Sequence, residues 1–129
     1  MGVWGYKNFE ADDSLNVLCS WVNRIIDEIR QTYKIDNEKS LYGNCGDAKI
    51  VANVDILGTL YEKYELYHDL QLSEVIRWKQ DYLETFDRIL SSYPSEPSEF
   101  ANKRRIVVED TFDRLCKILQ EISDLNEDE

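Results

Sequence analysis

Glu62-x-x-Glu65 and Glu84-x-x-Asp87 come nearest to chemistry in this chain. Residues three apart share one face of a helix. Two such carboxylate pairs on consecutive antiparallel helices can converge on a magnesium ion, which could hold a nucleotide's phosphates and activate water. The competing reading is a pair of solvated helix faces. A chain with 26 acidic residues produces such spacings readily, and this reading is preferred. Glu65-x-x-His68 has the spacing of a di-iron helix, but that site needs the motif twice and His68 is the only histidine. Cys45, between Gly43 and Gly46, could be a reactive loop thiol; a small residue filling a turn is the preferred reading. Lys103-Arg104-Arg105 is the one basic cluster, and Glu99 and Glu109 are placed to pair with it along a helix.

Charge narrows the function further. A net charge of −11 opposes binding to nucleic-acid phosphates and to anionic membrane surfaces, which both need clustered lysine and arginine. It permits a basic protein partner. The eight tyrosines and three tryptophans include several near expected helix ends, where a ring can be apolar on one side and wet on the other. Tyr42 near Asp47 and Tyr67 near Asp69 combine a ring anchor with an orienting carboxylate, and are the expected partner contacts. Three cysteines without a C-x-x-C pair suggest reduced thiols and a cytoplasmic location. No signal peptide is read at the N-terminus, and no apolar run approaches a membrane span.

Helices must position these groups. Leu15, Leu18, Val22, Ile25, Ile26, Ile29 and Tyr33 recur at spacings of three and four and predict a helix over 13–33, with Trp21 beside the stripe and Asp12 or Asp13 as its cap. Residues 34–46 read as a loop. A second helix is predicted over 47–68 on Ile50, Val51, Val54, Leu57, Tyr61 and Tyr64, with Gly58 inside it to admit a close neighbour. A third, over 73–92, turns Val75, Ile76, Tyr82, Leu83, Phe86, Ile89 and Leu90 inward, with Trp78 on the border. A fourth, over 98–123, does the same with Phe100, Val107, Val108, Phe112, Leu115, Ile118, Leu119 and Ile122. The expected fold is therefore an all-α four-helix bundle, one domain over 1–125, with a short aromatic N-terminal arm and a frayed acidic tail at 126–129. Thr85-Phe86-Asp87-Arg88 recurs as Thr111-Phe112-Asp113-Arg114, which reads as a common helix surface in preference to a duplication.

Two resemblances add to this reading. The opening Met1-Gly2-Val3-Trp4-Gly5, followed by Phe9, Asp12, Asp13 and Leu15, resembles a bacterial domain-of-unknown-function family whose members begin M-G-x-W-G-x-x-x-F-x-x-D-D-x-L. Ala52-Asn53-Val54-Asp55 is similar to that family's second helix, departing at Asn53 and Val54, where small residues are usual. The family carries no assigned reaction or cofactor, so the resemblance assigns no catalytic residue. Small acidic domains of this type look like immunity proteins of bacterial toxin systems. The four carboxylates Glu62, Glu65, Glu84 and Asp87 resemble the acidic set of all-α nucleoside-triphosphate pyrophosphohydrolases of the MazG kind, although Tyr61, Tyr64 and Tyr67 around the first pair do not match. The leading expectation is a non-catalytic acidic module, without cofactor, that binds a basic protein. The alternative is a magnesium-dependent pyrophosphohydrolase.

Overall fold

The computed structural model describes residues 7–8, 12–35, 48–64, 66, 70–92 and 98–127. It is an all-α bundle of α1 (Asp12–Ile35), α2 (Asn53–Lys63), α3 (Leu72–Ser92) and α4 (Ser98–Glu127), with a π-helical turn, Ala48–Ala52, leading into α2. No strand occurs among the described residues. Trp4, Phe9 and the capping side chain of Asp12 lie outside them.

α4 is the spine, packing against both α2 and α3. Its register with α3 is set by two ion pairs, Lys79–Asp113 (2.7 Å) and Asp87–Arg105 (2.9 Å). Each pair is eight residues from the other on both helices but in opposite order, so α3 and α4 run antiparallel. The repeated Thr-Phe-Asp-Arg segments acquire a structural meaning here. In each helix the aspartate accepts from a base on the other helix, that base lies eight residues before the second aspartate, and both phenylalanines are buried. Phe112 meets Tyr82 across this interface at 6.0 Å between tilted rings.

α1 joins α3 through a bidentate pair, with Arg30 Nε and Nη2 donating to Glu74 at 2.9 and 2.8 Å. One turn on, the Tyr33 ring stacks on Trp78 and its hydroxyl donates to the Trp78 carbonyl at 2.7 Å. Burial, reinforced by Asp81, keeps that hydroxyl protonated well above the usual phenol range. α1 meets α2 at Asn53, whose amide donates both to Glu28 of α1 and to the Lys49 carbonyl of the π turn. The Asn53 side chain is thus an inter-helix tie.

The core holds most of the expected stripes: Leu18, Val22, Ile26 and Ile29 from α1; Ile50, Val51, Val54, Leu57 and Tyr61; Val75, Tyr82, Leu83 and Phe86; and Val108, Phe112, Leu115, Ile118 and Leu119. Several expectations need correction. Trp78, read as a border residue, is buried, while Ile76, about 100° around the helix from Val75, is exposed. Phe100 and Val107 are exposed. α4 has 30 residues and α2 only 11, so α4 is roughly 45 Å long against about 16 Å. The short helix cannot cover the long one from end to end. α2 stops at Lys63, where Tyr64 turns extended and its N–H closes the last turn on the Leu60 carbonyl, rather than continuing to 68. α4 continues through Glu127, so residues 126–127, read as part of the tail, belong to the helix.

Gly58 faces α4, but without the close approach expected of an interior glycine. A methyl group there would meet only the Arg114 side chain, at 3.5 Å, an ordinary contact. The site therefore tolerates a β-carbon. Gly58→Ala should stabilise the protein by up to about 1 kcal/mol through helix propensity, read as a higher urea midpoint. An unchanged or lower midpoint would show that the Arg114 packing needs the glycine.

Candidate partner-binding surface

The expected contacts Tyr42, Asp47, Tyr67 and Asp69 lie outside the described residues, as does Glu65. Because α2 ends at Lys63, the spacing Glu62-x-x-Glu65 no longer implies one shared helix face, and Glu65-x-x-His68 lies outside the described residues. Glu62 is exposed in the last turn of α2 and accepts from Arg114 Nη2, while Arg114 Nη1 donates to Asp55 (3.2 Å) and Thr59 (3.3 Å). The Arg114 hydrogen bond, with the charges of Arg114 and Lys117, holds the Glu62 carboxyl below its usual range. On α3, Glu84 is exposed, and Asp87 takes a bidentate bond from Arg105 at 2.9 and 3.0 Å.

Arg105 and Arg114 are nine residues apart on α4, two and a half turns, and so project from opposite sides of it. Glu62 and Asp87 are held one to each side. The structure does not bring these two carboxylates together; each neutralises its own arginine. No cluster of three or more metal-ligating side chains occurs among the described residues.

The Glu62 pair has a pH consequence. A carboxyl whose folded pKa is lowered contributes stability above its unfolded pKa, and the contribution is lost as pH falls through the folded value. Glu62→Gln should therefore flatten part of the acid limb of a stability–pH curve and leave the alkaline limb unchanged. Identical acid limbs for the two proteins would show that the pair adds nothing in solution.

The charge is unevenly placed. The helical segments, with the π turn, carry seventeen acidic and thirteen basic residues, a net −4. The thirty-eight residues outside them carry nine acidic and two basic, a net −7. Five of the thirteen helix cations form ion pairs among the described residues: Arg30 with Glu74, Lys79 with Asp113, Lys103 with Glu99, Arg105 with Asp87 and Glu109, and Arg114 with Asp55 and Glu62. By sequence, more of the net negative charge belongs to the segments outside the helices than to the helices themselves.

α1 carries an exposed apolar patch. Val17 and Trp21 are exposed, Trp21 at 56%, and Arg24 lies over the Trp21 ring at 4.8 Å. Val17, Trp21, Arg24 and Glu28 fall at intervals of four, three and four, on the edge of α1 that Glu28 turns toward Asn53 of α2. Sequence reasoning placed Trp21 beside the core stripe and missed this second one. Its signal was the spacing itself, an apolar and arginine stripe offset from the core. The Arg114 network had only half a signal. Asp55, Thr59 and Glu62 share a face by spacing, but the arginine that gathers them is more than fifty residues away.

No helix among the described residues is long and apolar enough to cross a membrane. No family model, no curated protein and no solved structure matches the chain.

Proposed function

We propose that this chain is a non-catalytic acidic helical module that captures a basic protein, in the specific form of an immunity protein neutralising a bacterial toxin in the cytoplasm. The observation that carries the reading is the division of charge. The helical segments carry seventeen acidic against thirteen basic residues, while nine acidic residues against two lysines fall in the segments outside them. An acidic surplus steers a basic partner, raising its association rate. Tyr42, Asp47, Tyr67 and Asp69 belong to those segments and remain the proposed contacts. Exposed Trp21, with Val17 and Arg24, adds the kind of ring-and-arginine anchor that dominates interface energetics.

The magnesium-dependent alternative would require Glu62 to leave Arg114 and Asp87 to leave Arg105 before both could approach one ion. It keeps its own test below.

Immobilised protein is exposed to extract of its native host at low and at high salt, and any retained basic polypeptide is purified for kinetics. Its association rate should fall steeply as salt rises while its dissociation rate changes little. Trp21→Ala should raise the dissociation rate, and co-expression should suppress the partner's toxicity. Retention of no polypeptide at low salt, together with a magnesium- and nucleotide-dependent rise in Tm, would transfer the assignment to the pyrophosphohydrolase.

A further inference from the structure

Four charges on the outer face of α4 mirror one another with inverted sign about a common midpoint. Lys103, Asp110, Lys117 and Asp124 are seven residues apart in succession and all exposed, so they form one strip along the helix. The strip spans twenty-one residues, roughly 31 Å. Its signs alternate, and the two halves are complementary. Measured from the step between Asp113 and Arg114, Asp110 is as far to one side as Lys117 is to the other, and Lys103 as far as Asp124. A two-fold axis through that step would place every charge of the strip opposite its counter-charge.

Three further observations bear on the same face. An open groove of about 470 Å³ straddles the midpoint, lined among others by Asp110, Asp113, Lys117 and Glu121 of α4 and by Glu62 of α2. Ile106 and Val107, exposed at 58% and 52%, lie beside the strip and offer apolar surface to be removed from water. Asp110 and Lys117 take part in no ion pair among the described residues, unlike the neighbouring Asp113 and Arg114, which are committed to Lys79 and to Asp55 and Glu62.

We propose that this face is a self-association surface, on which α4 of one copy lies antiparallel to α4 of a second. In that arrangement Asp110 of each copy meets Lys117 of the other and Lys103 meets Asp124. A two-fold interface presents the same patch from both sides, so each pair occurs twice. The strip is self-complementary only in the antiparallel sense; a parallel pairing would set like charges side by side. The proposal is independent of the basic partner, which is assigned to other segments of the chain.

The test uses charge exchange. Sedimentation velocity over a concentration series at about 0.15 M salt, where distant repulsion between acidic chains is screened, should show wild-type protein passing from monomer to dimer. Asp110→Lys sets a lysine against Lys117 of the other copy, and Lys117→Glu sets a glutamate against its Asp110. Each substitution creates two like-charge contacts per dimer and should weaken self-association by at least about tenfold. An equimolar mixture of the two variants should dimerise at near wild-type strength, because every pair across the mixed interface is again opposite in sign. The double variant should dimerise alone for the same reason. Circular dichroism of each variant checks that the helices are intact, and recovery in the mixture cannot come from misfolded chains. A wild-type protein that stays monomeric throughout the series overturns the proposal. So do single variants that associate like wild type, or folded single variants whose mixture stays monomeric.

Discussion

Phe112→Ala should lower stability by about 3–5 kcal/mol, the cost of removing a fully enclosed ring whose surroundings relax only partly. The phenylalanine is 0% exposed and sits where α4 crosses α3, against Tyr82. It belongs to the same cluster as Leu115, Val108, Leu57 and Val75, so the void would open at the junction of three helices. A domain of this size has a total stability of roughly 5–15 kcal/mol, and the loss would consume a large part of it. Phe100→Ala supplies the control on the same helix. That ring is 66% exposed, and its removal should change stability by less than about 0.5 kcal/mol. Urea denaturation of the two variants side by side reads the contrast. Equal losses would mean that α4 is packed in solution along a different face.

The two described tryptophans should separate as sharply. Trp78→Ala is expected to cost about 3–5 kcal/mol. The ring is 4% exposed, stacks on Tyr33 at 6.2 Å and closes the contact between α1 and α3. Tyr33→Phe, which keeps the stack and deletes only the bond to the Trp78 carbonyl, should cost about 1 kcal/mol. Trp21→Ala should leave the urea midpoint nearly unchanged, because its ring contacts water and Arg24 more than the core. Iodide quenching gives a second readout: the Trp21→Phe protein, which retains Trp78, should be quenched less than the Trp78→Phe protein, which retains Trp21. The reverse order would place Trp21 in the core and remove it from the binding surface.

The sequence by itself determined the class of fold and most of the core. Period is a local property, and Val22, Ile26 and Ile29, or Phe112, Leu115 and Leu119, could face one way only on a helix. It also determined the sign of the charge and the scarcity of metal-ligating histidine. Tertiary structure decided what a period cannot express, namely how far each helix is covered and by what. Phe100 and Val107 belong to an apolar stripe yet are exposed. Trp78 looked marginal by its angle but is enclosed, because Tyr33 arrives from forty-five residues away. The fate of the carboxylates was decided in the same way. Spacing along the chain made Glu62 and Asp87 candidates for one ion, but the residues that claim them, Arg114 and Arg105, project from opposite sides of α4. A Coulomb pair forms with whichever charge the packing delivers, and that choice is written only in the assembled bundle.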